Sequence, residues 1–192
     1  MVTSHLFAAE VLTSLKRENR LPVKTLAIAT DYTCIPFWEE TECDYYIVPH
    51  KDLMGEFLQK QMPQKKLFPL GIPVSRPFRT KGERQEAREK LNLPSQLPVF
   101  LIMTGSMGYG RIEDTIQELV NLYGDQAVIA VICGNNTRLK ESLEQQCHGH
   151  PNVKIHGFTK KIPLYMDACD VLLTKPGGLT STEAAVKGVS LI

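Results

Sequence analysis

Short apolar runs alternate with helix-like segments along the whole chain. The runs have the aliphatic composition of buried strands, and the segments between them repeat apolar residues at helical spacing. The predicted strands cover 23–29, 45–48, 67–70, 99–103, 127–132, 153–155, 171–173 and 189–192. The predicted helices cover 8–19, 52–61, 112–122, 137–146, 162–168 and 180–187. Strands that alternate with helices predict an α/β fold with parallel sheets and helices on both faces.

A proline-rich, charged stretch interrupts this alternation at residues 73–98. It contains four prolines and a charged segment, Lys81–Lys90, which predicts one polar helix that ends near Leu91. We interpret the stretch as a connector between two α/β units at 1–72 and 99–192. The first unit has three predicted strands and begins within a helix, and the second ends within a strand. Both units are therefore expected to be truncated parts of a longer protein.

The composition is that of an ordinary globular protein. Hydrophobic residues make up 43% of the 192 residues and charged residues 22%. The net charge of +1 gives no indication of a nucleic-acid partner. Five cysteines without a C-x-x-C pair indicate free thiols in a reducing cytoplasm. No apolar run approaches the ~18 residues that cross a bilayer, so association with a membrane surface is the only membrane role left open.

A Gly-rich segment follows the predicted strand 99–103 and precedes a helix. Ligands of open α/β sheets bind beyond the carboxyl ends of the strands, near helix N-termini. The three glycines at 105–110 have the spacing G-x-x-G-x-G, which matches neither the dinucleotide fingerprint nor a P-loop. Glycines let backbone N–H groups approach an anion, and the helix dipole favours negative charge. A turn that needs positive φ would explain these glycines equally well.

A second candidate site follows the penultimate predicted strand. Lys175, Gly177, Gly178 and several hydroxyls crowd the start of the next helix, as in a phosphate-binding turn. Thr180 and Glu183 also fit a capping box, which needs no ligand. Capping leaves the lysine and the two glycines unexplained, so we favour phosphate binding.

Weaker candidates lie at other strand ends. Cys133-Gly134-Asn135-Asn136 follows strand 127–132, and a turn with an Asn helix cap is the simpler interpretation. Asp31 follows the first strand at the end where ligands bind, and an Asx-turn or a helix cap would explain it equally well. His5 caps a helix or contacts a ligand. Cys147-His148-Gly149-His150 contains metal-type ligands without a second pair nearby, so we predict a solvated loop and no metal site.

The chain resembles one glycosyltransferase family through a series of motifs. They are Gly71-Ile72-Pro73-Val74, T-G-S-M-G at 104–108, I-C-G-N-N at 132–136, H-G-F at 156–158 and T-K-P-G-G-L-T-S-T-E-A at 174–184. The family is that of monogalactosyldiacylglycerol synthases and processive diacylglycerol glucosyltransferases. The transferase that adds N-acetylglucosamine to undecaprenyl-linked muramyl-pentapeptide is a more distant relative. The resemblance covers essentially the whole chain, and the block at 174–184 is its most specific part.

This resemblance implies a GT-B architecture of two Rossmann-like domains. Residues 1–72 would be the C-terminal part of the acceptor-side domain, and 99–192 the N-terminal part of the nucleotide-sugar domain. The implied donor is a UDP-sugar, the implied acceptor a lipid, and no cofactor or metal is implied. The implied location is the cytoplasm, peripherally on the inner face of the cell membrane.

The resemblance also assigns roles to residues. Backbone groups near Phe158 would face the uracil, Gly177, Gly178 and Thr180 would contact phosphate, and Glu183 would accept hydrogen bonds from the ribose. The whole implied donor set is Thr104, Gly105, Ser106, Met107, Gly108, Cys133, Gly134, Phe158, Lys175, Gly177, Gly178, Thr180 and Glu183. His5 and Asp31 would lie on the acceptor side. The general base of the family lies upstream of Met1, so no catalytic residue is assigned.

The expected function is transfer of a hexose from a UDP-sugar to diacylglycerol or a related lipid, with inversion and without a metal. Helix N-termini and backbone N–H groups would then stabilise the diphosphate leaving group. One alternative is an inactive, truncated nucleotide-binding fragment, and the 192-residue chain alone is expected to be inactive. Two others are an enzyme like the muramyl-pentapeptide N-acetylglucosaminyltransferase and an unrelated α/β protein such as a sugar-phosphate enzyme.

Overall fold

The chain folds into two compact units, Met1–Pro73 and Val74–Ile192. The computed structural model describes residues 1–103 and 112–192, so the predicted Gly-rich turn at 104–108 lies outside the described residues. Each unit has its own parallel sheet and its own hydrophobic core. The predicted α/β fold with two parallel sheets is therefore confirmed.

The first unit contains a four-stranded sheet in sequential order. Its strands are β1 (Val2–Thr3), β2 (Leu26–Ile28), β3 (Tyr45–Ile47) and β4 (Leu67–Phe68), paired as β1-β2-β3-β4. Its helices are α1 (Leu6–Arg17) and α2 (Met54–Gln59), with short 3₁₀ turns at Trp38–Glu40, Lys51–Leu53 and Gln64–Lys66.

The prediction of three strands in this unit was wrong, because a strand precedes α1. Val2 and Thr3 pair in parallel with Leu26 and Ala27. A two-residue strand is too short to give an alternation signal, and only its pairing defines it. The predicted strand 23–29 is also shorter than expected, since Val23 is 48% exposed and lies outside the sheet.

The second unit contains a five-stranded sheet whose order reverses at its first strand. The strands are β5 (Val99–Met103), β6 (Val128–Ile132), β7 (Val153–His156), β8 (Val171–Thr174) and β9 (Ser190–Leu191), paired as β7-β6-β5-β8-β9. The helices are α3 (Arg76–Arg79), α4 (Arg84–Lys90), α5 (Ile112–Tyr123), α6 (Thr137–Gln146), α7 (Ile162–Ala168) and α8 (Gly178–Lys187). Open α/β sheets bind ligands beyond the carboxyl ends of their strands at such a reversal.

The stretch predicted as a connector packs into the second unit. Phe78, Ala87 and Leu93 belong to its buried core. Arg88 is 5% exposed and donates hydrogen bonds to the Ala168 carbonyl at 3.0 Å and to the Asp170 carboxylate at 2.7 Å. Arginine is therefore buried here only because its donors are matched. The predicted polar helix exists as α4, and the short helix α3 precedes it.

A buried ion pair fastens α8 to α7. Lys187 Nζ lies 2.7 Å from Asp167 Oδ2, and the two side chains are only 1% and 7% exposed. Lys187 also donates to the Thr80 carbonyl, and the Gly82 N–H donates to Asp167 Oδ1 at 3.1 Å. A Cβ at Gly82 would lie 2.9 Å from Asp167 Oδ2, so this close approach requires glycine. The charges of Lys187 and Asp167 therefore compensate each other at the C-terminal end of α8.

None of the helices in residues 1–103 and 112–192 is long and apolar enough to cross a bilayer.

Candidate functional site

The carboxyl ends of four strands lie in register at one edge of the second sheet. Met103 is paired with both Ile132 and Thr174, and Ile132 is paired in turn with His156. Thr174 Oγ1 donates a hydrogen bond to the Met103 carbonyl at 3.1 Å, which fixes the end of β8 against β5. The segments that follow β5, β6, β7 and β8 therefore all begin at the same edge.

The N-terminus of α8 is formed by glycine. Gly177 is the N-cap residue in extended conformation and, having no side chain, makes no capping hydrogen bond of its own. The helix begins at Gly178, so Thr180 and Glu183 lie inside it and the capping-box interpretation is wrong. Ser181 N–H donates to the Gly177 carbonyl at 3.0 Å. The N–H groups of residues 178–180 come before this first intrahelical bond, so they have no acceptor within the helix. They point out of the helix end, where they can donate hydrogen bonds to an anion.

Lys175 lies directly beside this helix end. The Gly177 N–H donates to the Lys175 carbonyl at 2.7 Å, which folds the chain into a tight turn. A Cβ built on Gly177 would lie 3.7 Å from Lys175 Cε, so the lysine stem runs along the glycine. Lys175 itself is exposed. The turn therefore brings an ammonium group next to the free amides of α8.

Glu183 is a half-buried carboxyl group in the second turn of α8. Burial raises the pKa of Glu183 above its usual value, because the ionised form loses hydration. A partly desolvated carboxylate gains more from hydroxyl donors than a fully hydrated one does. Thr180 lies one turn earlier and is also half-buried.

An apolar pocket of about 240 Å³ lies at the ends of β5, β6 and β7. Gly134 lines it after β6 with a φ of +57°, a left-handed conformation that favours glycine. Phe158 forms part of the opposite wall and is 69% exposed. Among the residues that the structure describes, the lining consists of Met103, Ile132, Gly134, Asn135, Phe158, Thr159 and Ile162. The structure thus brings together Gly134 and Phe158, two residues of the predicted donor set.

The turn at residues 133–136, which follows β6, contains the predicted Asn helix cap, and this prediction is confirmed. Asn136 is the N-cap of α6, and its Oδ1 accepts the Leu139 N–H at 3.0 Å. Cys133 is fully buried, and burial raises the pKa of its thiol to about 11. Its N–H donates to the His156 carbonyl at 2.8 Å. Cys133 therefore supports the strand ends and does not line the pocket.

The two predicted acceptor-side residues lie at the carboxyl edge of the first sheet. His5 follows β1 as the N-cap of α1, but its side chain makes no capping hydrogen bond. His5 thus occupies the N-cap position considered for it, although its side chain does not cap the helix. Asp31 follows β2, which runs parallel to β1, and is exposed.

Glu56 and Lys60, which sequence analysis missed, hold the segment that follows Asp31. Glu56 Oε2 accepts the Thr33 hydroxyl at 2.9 Å and the Cys34 N–H at 2.8 Å, and these bonds lower the pKa of Glu56. Lys60, the C-cap residue of α2, donates to the Ile35 carbonyl at 3.2 Å. The sequence shows that Glu56 and Lys60 are four residues apart, which suggests an ion pair on one helix face. Nothing in the sequence indicates that both side chains instead bind the loop after Asp31.

No group of three or more His, Cys, Asp or Glu side chains suited to a metal ion occurs in residues 1–103 and 112–192.

The fold of the chain is that of GT-B glycosyltransferases. It superposes on Anabaena HepE in complex with UDP and glucose with a TM-score of 0.66, covering 99% of this chain and 57% of that chain at 14% identity. It superposes on WaaG, a glycosyltransferase of lipopolysaccharide biosynthesis, with a TM-score of 0.59, covering 96% of this chain and 62% of that chain at 17% identity. At such low identity the likeness shows the fold alone.

The sequence matches are more specific. Residues 1–74 match monogalactosyldiacylglycerol synthase, and residues 99–192 match the glycosyltransferase family 28 C-terminal domain. A processive diacylglycerol beta-glucosyltransferase of Staphylococcus saprophyticus is 29% identical over 187 residues, covering 97% of this chain and 48% of the relative. A probable chloroplastic monogalactosyldiacylglycerol synthase 2 of Oryza sativa subsp. japonica is 30% identical over 178 residues, covering 88% and 38%.

Over most of its length the chain is therefore similar to monogalactosyldiacylglycerol synthases and processive diacylglycerol glucosyltransferases. It spans about half the length, or less, of these curated relatives.

Proposed function

We propose that this chain binds the UDP-sugar donor of a glycosyltransferase that transfers a hexose to diacylglycerol or a related lipid. The observation that carries the proposal is the edge where an apolar pocket and an uncapped helix N-terminus occur together. The pocket lies at the ends of β5, β6 and β7, and the helix follows β8. Because β5 alone separates β6 from β8, the β6 side of the pocket is roughly 10 Å, or two inter-strand spacings, from the strand that leads into α8. A nucleoside diphosphate is an elongated ligand with a flat base at one end, whose faces can pack against apolar side chains, and two phosphates at the other.

The chemistry of each part matches one part of that ligand. The base would lie in the pocket against Phe158 and Gly134. The diphosphate would accept hydrogen bonds from the free N–H groups at the start of α8. Lys175 would add positive charge beside the phosphates. Glu183 would accept hydrogen bonds from the ribose hydroxyls. The Gly-rich segment at 104–108 follows β5 and stays a predicted diphosphate contact.

The proposed reaction needs charge stabilisation at the leaving group. UDP gains negative charge as the sugar transfers, and preoriented amides and the helix dipole stabilise that charge without reorganisation. This favours a transfer without a metal, and inversion at the anomeric carbon stays a prediction from the family resemblance. The first unit would contribute to acceptor binding through the edge that carries His5 and Asp31.

Exposed apolar side chains on the first unit support contact with a lipid surface at the inner face of the membrane. Phe7 and Val11 lie one turn apart on α1 and are 66% and 59% exposed. We expect wild-type protein to sediment with diacylglycerol-containing anionic vesicles, and the Phe7→Ser/Val11→Ser variant to sediment less. Leu122→Ser, at an equally exposed position of the second unit, is the matched control. Equal sedimentation of all three proteins would contradict this surface.

Titration calorimetry with UDP tests the nucleotide site directly. Glu183→Ala is expected to weaken UDP binding by about 1–2 kcal/mol, the size of a lost hydrogen bond to a charged group. Glu141→Ala, an exposed glutamate on α6, should leave the affinity unchanged. UDP should also raise the melting temperature, because it binds the folded state. Absence of UDP binding by the wild type, with binding of sugar phosphates or dinucleotides instead, would favour an unrelated α/β protein.

A transfer assay tests the prediction that the 192-residue chain alone is inactive. Radiolabelled UDP-glucose and UDP-galactose would be offered with diacylglycerol in mixed micelles. UDP binding without transfer agrees with the prediction, and a labelled glycolipid would contradict it.

A further inference from the structure

A histidine and a tyrosine form a hydrogen-bonded pair behind the apolar pocket. His156 is the last residue of β7, and its Nε2 lies 2.9 Å from the hydroxyl of Tyr165 on α7. Their ring centroids are 5.3 Å apart. The His156 carbonyl accepts the Cys133 N–H at 2.8 Å, so the backbone is fixed to β6 while the side chain is fixed to α7.

The His156–Tyr165 hydrogen bond connects the two ends of the loop that contributes Phe158 and Thr159 to the pocket lining. The loop 157–161 joins β7 to α7 and contains Phe158 and Thr159, which line the pocket. The Lys161 N–H donates to Thr159 Oγ1 at 3.1 Å within the loop. The His156–Tyr165 bond therefore joins the residue before the loop to the helix after it. Neither ring lines the pocket, so the pair can act on a ligand only through Phe158 and its neighbours.

The surroundings of His156 suit a neutral ring. Burial and the nearby charges of Lys154, Lys140 and Lys161 lower the pKa of His156 below its usual value. In a neutral imidazole Nε2 accepts a hydrogen bond from the Tyr165 hydroxyl in one tautomer and donates one to it in the other, so either tautomer keeps the pair bonded. Burial also raises the pKa of Tyr165, which keeps its hydroxyl protonated.

We infer that His156 and Tyr165 are positioning residues that hold Phe158 as the wall for the nucleobase. The inference rests on the proposed function, since it needs a nucleotide in this pocket. The pair preorganises one end of the ligand and leaves the phosphate end at α8 untouched. Its loss should therefore weaken binding of a nucleotide but not of its phosphates alone.

Paired titrations with UDP and inorganic pyrophosphate test this inference. Tyr165→Phe removes only the hydroxyl and is expected to weaken UDP binding about 5- to 10-fold, an average hydrogen bond's contribution. Pyrophosphate affinity should not change. His156→Ala should weaken UDP binding similarly, whereas His156→Gln, which retains an acceptor, should recover part of the affinity. Tyr123→Phe is the matched control, since Tyr123 lies on α5 and contacts Phe100 instead.

The outcomes separate this inference from the proposed function. Wild-type UDP affinity in both Tyr165→Phe and His156→Ala would overturn the inference and leave the nucleotide site intact. An equal loss of UDP and pyrophosphate binding would also overturn it, because the pair would then act on the whole unit. A wild-type protein that binds no UDP would overturn both.

Discussion

The carboxyl edges of the two sheets are held together in different ways. In the first unit, the charged side chains of Glu56 and Lys60 hold the loop after β2 directly at that edge. In the second unit, the buried Lys187–Asp167 pair lies at the opposite end of α8 from the proposed site. The described part of its carboxyl edge uses glycine turns, backbone amides and the neutral pair of His156 and Tyr165.

This difference indicates where each unit can accept an anion. Backbone amides at the start of α8 can bind phosphate only if no side chain already caps them, and Gly177 has none to offer. A glycine at the N-cap forgoes only a few tenths of a kcal/mol relative to a capping side chain, so the free amides of α8 cost the second unit little stability. In the first unit, the carboxylate of Glu56 occupies the donors of its loop.

The largest expected effect comes from breaking the buried pair. Lys187→Met leaves the Asp167 carboxylate in the core without its cation, and we expect a loss of about 3–5 kcal/mol in the free energy of unfolding. Denaturant unfolding followed by circular dichroism measures it. Lys90→Met, which removes an exposed pair with Glu86, should cost less than ~1 kcal/mol. Equal losses in the two variants would show that burial of the pair contributes nothing.

We expect the stability of the first unit to depend on pH through the carboxylate of Asp44. Hydrogen bonds from the Thr25 backbone and hydroxyl and from Lys16 lower the pKa of Asp44 well below its usual range. Because the folded-state pKa is depressed, this stabilisation is present above the unfolded pKa near ~4 and is lost as pH falls through the folded pKa.

Asp44→Asn is therefore expected to cost about 2 kcal/mol at neutral pH. The difference from wild type should shrink as pH falls below ~4, because the Asp44 carboxylate of the unfolded chain takes up a proton there while that of the folded chain stays ionised. Denaturant unfolding at a series of pH values measures this difference. A constant difference down to the lowest pH at which the protein folds would contradict the role given to Asp44.

A smaller loss is expected from the neutral cap at the carboxyl edge of the second sheet. Asn136→Ala removes the acceptor for the Leu139 N–H and should lower the free energy of unfolding by about 1 kcal/mol. Asn135→Ala, the neighbouring exposed position, should leave stability unchanged. If both variants unfold like the wild type, the cap does not stabilise this edge.

The smallest expected effect is local to the loop after Asp31. Glu56→Gln keeps the shape of the side chain but loses the charge that strengthens its bonds to Thr33 and Cys34. Hydrogen exchange at the Cys34 amide should become faster, while UDP affinity stays the same. Exposed Glu40→Gln serves as the control. Unchanged exchange at Cys34 would show that the charge of Glu56 is not needed to hold the loop.

Local signals in the sequence predicted the elements of the second unit well. The apolar run 99–103 is the strand β5, and the helices predicted at 137–146 and 162–168 have the observed bounds. Long apolar runs and periodic helices carry their information locally. The start of α8 was misjudged because S/T-x-x-E favours a cap at Thr180, whereas the turn between Lys175 and Gly177 starts the helix two residues earlier.

The sequence alone determined the alternation of strands and helices, the glycine-containing turns at the strand ends and the motifs of the family, because all of these depend on neighbouring residues. Tertiary structure decided which distant groups meet. The register that aligns Met103, Ile132, His156 and Thr174 depends on strand pairing across the sheet. The partners of Lys187, Glu56 and His156 likewise follow from packing between elements, since charge or ring chemistry in a sequence does not specify its partner.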